Sequence, residues 1–217
     1  MRFAFADPPY LGCGARYKEH HDEALAWDDP ETHRALVQRL VAEYPDGWLL
    51  CLSSPSLHTI LPMVPADCRV GAWVKPFCAF KANVTTAYAW EPVIFSGGRK
   101  RAREVETVRD WVSSVITLKK GLTGAKPEAF CEWVLDLLNV AEREDVVDDL
   151  FPGTGIFGRV MNRRAKAKQQ SLPFAPLPKI AHDGVELQDE GGAKSARSVP
   201  EGQTRSPKHI SGTSLSD

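Results

Sequence analysis

Short apolar runs alternate along the chain with stretches of helical periodicity. Phe3-Ala4-Phe5-Ala6 stops at an acid and two prolines, which describes a buried strand over residues 2–7 that ends abruptly at the edge of a sheet. A polar stretch over 11–30 is long enough to form a lid over a site at that strand end. Leu36, Val37, Leu40 and Val41 recur at helical spacing and predict a helix over 31–44, with Asp29 or Thr32 as its cap. The run GWLLCLS predicts a strand over 47–53, followed by a short helix at 55–63 stopped near Pro62 and Pro65. Strands near 69–75 and 87–96 come next, then a helix at 104–113, a helix at 126–140, a strand at 145–149 and a last helix over 156–168. Strands alternating with helices predict a three-layer α/β domain with a mostly parallel sheet.

This pattern stops near residue 168. Residues 169–217 are rich in Ser, Gly, Pro, Lys and Glu with few large apolar groups, the composition of a disordered tail. A net charge of −1 gives no global electrostatic case for a polyanionic partner. The distribution says more: Arg99-Lys100-Arg101-Ala102-Arg103 is a compact basic cluster, followed by Lys119-Lys120 and by the basic residues of 163–168. Such a cluster is solvated surface unless it lies beside a base-modifying site, where it would contact phosphate. Lys75, at a strand end, has the same two readings, phosphate neutraliser or snorkelling surface lysine. The five cysteines form no C-x-x-C pair and read as reduced thiols of a cytoplasmic protein. His20-His21 near Cys13 lack a second ligand pair, so no metal site is expected. Phe3 to Ala6 is too short for a signal sequence, and no segment has the ~20 apolar residues of a membrane span.

Asp7-Pro8-Pro9-Tyr10 sits at a strand end, where open α/β sheets hold their ligands. It suits one reaction, transfer of a methyl group to the exocyclic amine of a nucleobase. Such an amine is a poor nucleophile because its lone pair is delocalised into the ring. A carboxylate and a carbonyl that each accept one N–H let the nitrogen pyramidalise towards a methyl donor. Asp7 supplies the carboxylate and Pro8 the carbonyl, while Tyr10 can stack on the base with its hydroxyl satisfied at the pocket rim. Near the other end, Val146-Val147-Asp148-Asp149-Leu150-Phe151-Pro152-Gly153-Thr154-Gly155 reads as a strand, an acid and a glycine turn that opens a helix. Glycines there let a ligand approach the backbone.

The two motifs together resemble the amino-group (N6-adenine/N4-cytosine) DNA methyltransferases that use S-adenosylmethionine (SAM). In that family D-P-P-Y/W carries catalysis and D-x-F-x-G-x-G binds the cofactor. VGAWVKP at 70–76 is similar to the family's W-x-K strand, AWEPVIFSG at 89–97 to its E-P-hydrophobic strand, and Lys126-Pro127-Glu128 to its K-P helix. The catalytic motif comes first, so the resemblance is to the circularly permuted D-P-P-Y branch, in a short form of phage or mobile-element type. It covers residues 1 to about 165.

The resemblance implies a Rossmann-like methyltransferase domain over 1–168, with Asp7, Pro8, Pro9 and Tyr10 catalytic. Phe5, Lys126, Pro127, Asp149, Phe151, Gly153, Thr154 and Gly155 would surround SAM. DNA would be held by Lys75, Arg99, Lys100, Arg101, Arg103, Lys119 and Lys120, with 98–125 as a short target-contacting segment. Two departures stand out. The family continues after the glycine turn with two more strands, the first ending in an acid that holds the cofactor ribose, and no strand pattern follows here. Another element, a homodimer mate or partner subunit would complete that wall, or cofactor binding is weak. The target-contacting segment is also short, which implies low sequence specificity. The tetrapeptide does not discriminate adenine N6 from cytosine N4. Two rival readings are a non-catalytic methyltransferase-like binding protein and a protein-amide methylase, the latter disfavoured by Asp rather than Asn at position 7. Glu91 reads equally as a structural acid or a group near the target base, and Trp73, Trp90, Trp111 and Trp133 mostly as core.

Overall fold

The computed structural model describes residues 1–19, 22–77, 84–116 and 125–170. His20-His21, Cys78, Lys119, Lys120 and the tail from 171 onwards lie outside the described residues. Among the described residues six strands form one sheet: β1 (Arg2–Ala6), β2 (Gly47–Cys51), β3 (Arg69–Val74), β4 (Trp90–Gly97), β5 (Trp111–Ser113) and β6 (Val146–Asp149), in the order β5-β3-β4-β2-β1-β6. β1 pairs parallel with β2 and β6, and β3 pairs parallel with β5. β4 runs antiparallel to both β2 and β3. Five strands therefore point one way and β4 alone points back, so the mostly parallel α/β expectation holds.

The period of two along each strand divides the core. Phe3, Phe5, Leu49, Cys51, Trp73, Val93 and Phe95 pack on one face with residues of α3 (Glu128–Leu137) and α4 (Ile156–Gln170). Ala4, Ala6, Trp48, Leu50 and Ile94 pack on the other with residues of α1 (Pro30–Glu43) and α2 (Leu57–Ile60). The result is three layers. Asp29 caps α1, its side chain accepting the Glu31 N–H at 3.0 Å. Thr32 instead donates its hydroxyl to the Ala26 carbonyl. α2 is a single turn flanked by 3-10 turns at Ser54–Ser56 and Leu61–Met63, each carrying a proline that breaks a longer helix.

One predicted helix is absent. Residues 104–113 form an irregular segment that ends in β5. Val105, Thr107, Val108 and Val112 are β-branched and stiff in a helix. The sheet edge at β3 offers Ala72 and Val74 as ladder partners for Trp111 and Ser113 instead. Two indoles fix the strand: Trp133 Nε1 donates to the Arg109 carbonyl at 2.9 Å and Trp73 Nε1 to the Ser114 carbonyl at 3.1 Å. Trp73 and Trp133 are buried, whereas Trp90 and Trp111 are exposed.

The segment expected to form a lid contains 3-10 turns at Gly14–Arg16 and Ala24–Asp28, tied together by the Gly14 N–H donating to Asp28 Oδ1 at 2.8 Å. At the other sheet edge, β6 is followed among the described residues by α4 and by no further strand. The described cysteines 13, 51, 68 and 131 are free thiols, with Cys51 and Cys131 buried. No helix among the described residues is long and apolar enough to cross a membrane.

Candidate active site

The C-terminal ends of the parallel strands and the first residues of β4 meet at one end of the sheet, and alternation decides which side chains gather there. Asp7 continues the face of Phe3 and Phe5, Lys75 that of Trp73, and Glu91 that of Val93, all towards α3. Lys126 enters the same space from the residue before Pro127, the N-cap of α3. Its ammonium, 5% exposed, donates to Asp7 Oδ1 at 2.8 Å and to the Tyr10 hydroxyl at 2.8 Å, and lies 3.5 Å from Glu91 Oε2. The Tyr10 hydroxyl donates to Glu91 Oε2 at 2.7 Å and approaches Asp7 Oδ1 at 3.3 Å. Lys75 Nζ closes the network on Glu91 Oε1.

Two carboxylates and two ammonium groups thus share one part-buried cluster. Burial opposes the charge of Lys126, but Asp7 and Glu91 more than compensate and hold it protonated well above the usual lysine range. Burial also works against Glu91, yet Lys126 and Lys75 keep its carboxyl below its ordinary value. Burial lifts the Asp7 carboxyl above its ordinary value, with Lys126 opposing. The Tyr10 phenol is pushed far up by burial and by the charges of Asp7 and Glu91, so it stays neutral. Burial pushes the Cys131 thiol up to about 12 and raises Cys51 as well, so neither offers a thiolate at neutral pH.

Tyr10 is anchored from inside, by Glu91 and Lys126, rather than at the pocket rim. Its ring face stays clear of the ammonium. Lys126 Nζ is 5.2 Å from the ring centroid yet 2.8 Å from the hydroxyl, which puts it beyond the phenol oxygen and not above the ring.

The glycine turn lies alongside. Register pairs Phe5 with Asp149, so the ends of β1 and β6 are adjacent. Gly153 and Gly155 take φ of +44° and +68°, the left-handed region that favours glycine. A Cβ at Gly153 would meet nothing nearer than the Phe151 carbonyl oxygen at 3.8 Å, so the backbone there is open to a ligand. Asp149 accepts the Phe151 N–H at 3.3 Å, and burial raises its carboxyl to about 6. Thr154 directs its carbonyl to Arg159, at 2.7 Å. The Phe151 ring sits edge-on to Trp27 of the lid segment, with 5.1 Å between centroids. Phe5 is fully packed, stacked on Phe157 at 4.4 Å. The buried Pro127 caps α3 with its carbonyl, which accepts from the Phe130 and Cys131 N–H groups.

Asp7, Tyr10, Lys126, Lys75 and Glu91 are thus brought together, with the glycine turn beside them. Other expected residues go elsewhere. Arg99 pairs with the buried Asp145 at 2.5 Å, and Arg101 donates to the Asp136 carbonyl. Lys100 and Arg103 are exposed. All four follow β4, whose reversed direction delivers them to the opposite end of the sheet. At roughly 3.3 Å per residue, that is about 20–25 Å from Glu91. Lys75 is engaged by Glu91 and is only 13% exposed. Tyr17, in the lid segment, is raised by burial and by the charge of Asp7. Nothing in its local sequence pattern signalled that proximity.

No family model matches the chain, and no curated protein matches it. Among solved structures it is similar to one described as "crystal structure of M1.HpyAVI-SAM complex", with 16% sequence identity and a TM-score of 0.49, the match covering 75% of this chain and 78% of that chain.

Proposed function

We propose that this chain methylates the exocyclic amino group of a DNA base, adenine N6 in the first instance, with SAM as methyl donor. The observation that carries this reading is the part-buried Asp7 carboxylate at the end of β1, flanked by Pro8 and the part-buried ring of Tyr10, one strand from a glycine turn with accessible backbone. These residues fit the group. Gly153 admits a ligand against the chain, and Asp149 is a carboxylate able to face an ammonium or hydroxyl group. SAM supplies a methyl group on a positively charged sulfur.

Asp7 and the Pro8 carbonyl would accept the two amine hydrogens, and Tyr10 would stack on a base extruded from its duplex. The amine nitrogen would take the methyl group that SAM supplies, and the surplus amine proton would leave through Asp7 to solvent. Lys126 keeps Asp7 anionic and in place. Rate enhancement then comes from positioning and fixed charge.

On this reading residues 1–168 are the catalytic domain and 169–217 a tail. Among the described residues β6 is an edge strand, and there a homodimer mate or partner subunit would complete the cofactor pocket. Cytosine N4 presents the same amine and is the nearest alternative substrate. The edge position of β6 also favours a second reading, a non-catalytic protein that binds nucleic acid or a partner. Expression of the chain and its Asp7→Ala variant in a methylation-deficient host, with DNA digested to nucleosides, tests the two. N6-methyladenine or N4-methylcytosine that depends on Asp7 supports the enzyme. No modified base together with no SAM binding supports the second reading.

A further inference from the structure

The described site contains two lysines, and the amine chemistry uses only Lys126, which holds Asp7. A buried ammonium beside the acceptor carboxylate is costly for an enzyme whose methyl donor is itself a cation. Lys126 alone would leave Asp7 neutralised, and Lys75 would add a further positive charge. Glu91 is the group that offsets them. Its Oε1 takes Lys75, its Oε2 takes the Tyr10 hydroxyl and lies 3.5 Å from Lys126, and it is 17% exposed.

We infer that Glu91 sets the charge of the methyl-donor site: by matching the second lysine it keeps the Asp7–Lys126–Lys75–Glu91 cluster neutral, so that the cationic donor is accepted in preference to its neutral demethylated product. Glu91 is a positioning residue, acting on the donor through Lys75, Lys126 and Tyr10. This rests on the methyltransferase reading. It also reassigns Lys75, which serves Glu91 and not a phosphate. Between two unit charges about 10 Å apart in a partly solvated site, Coulomb's law gives a change in binding of roughly tenfold.

The test compares SAM with S-adenosylhomocysteine, which has the same groups but no charge on sulfur, by calorimetric titration of the full chain. Glu91→Gln keeps an acceptor for the Tyr10 hydroxyl and removes the charge. It should weaken SAM about tenfold while changing S-adenosylhomocysteine less than twofold. Adding Lys75→Gln to that variant should restore SAM binding to within about threefold of wild type. Lys75→Gln alone should tighten SAM and not S-adenosylhomocysteine, which keeps the inference testable if Glu91→Gln does not fold. Equal losses for both compounds, no change in either, or failure of Lys75→Gln to act in the stated direction overturns it. A wild-type chain that binds neither compound overturns the methyltransferase reading and this inference with it.

Discussion

On the proposed reading Tyr10 has two separable jobs. Its part-buried ring would stack on the base, while its hydroxyl is held by Glu91 and Lys126. Tyr10→Phe keeps the ring and loses the anchor, so steady-state methylation assays should show kcat/KM for DNA falling about three- to tenfold. Tyr10→Ala loses stacking as well and should fall about a hundredfold or more, since stacking on an extruded base contributes ~1–3 kcal/mol. Asp149 makes a different prediction. Its carboxyl is raised to about 6 in the folded chain from an ordinary 3.8, so between those values the folded state holds more protons than the unfolded state. The stability owed to this group is full below about 4 and is lost as pH rises through 6. Asp149→Asn should therefore raise the urea midpoint at pH 7 relative to wild type, with the gain vanishing by pH 4. SAM affinity of the wild type should decline as pH drops below 6, and the variant should lose that dependence.

Elements carry the charges that the sequence could not pair. Arg164, on α4, holds Glu132 and Asp136 of α3 and the fully buried carboxylate of Glu142. Arg163 holds Glu128 and Glu132 from an exposed position. Arg164→Ala should cost about 1–2 kcal/mol in urea unfolding, discounted for partial solvent screening. Arg163→Ala should leave the midpoint unchanged. The strand ends at Asp7 and Asp149 were legible because prolines and glycines punctuate them. The helix expected at 104–113 was not, because a sheet edge in need of a partner overrode local periodicity. The pairing of Lys126 with Asp7 joins residues 119 apart in sequence. Its only local sign was a lysine at a helix start, where its charge is unfavourable.

At the scale of the whole molecule, one reversed strand decides the electrostatic layout. Strand direction depends on long-range pairing, so the sequence did not show that β4 would carry Arg99, Lys100, Arg101 and Arg103 away from Asp7 while leaving Glu91 beside it. Replacing the exposed Lys100 and Arg103 by Glu should accordingly leave kcat/KM for DNA within about twofold of wild type at moderate salt. The same architecture places a carboxylate, an aromatic ring and a glycine turn at one end of the sheet, and that juxtaposition is what the proposed amine methylation needs. The most direct measurement of it is to incubate purified chain with unmethylated DNA and SAM deuterated in its methyl group, digest to nucleosides, and weigh the products. Trideuteromethyl on adenine N6 that appears with wild type and falls at least a hundredfold in Asp7→Asn is expected; deuterium absent from every base, or present equally in both proteins, would contradict it.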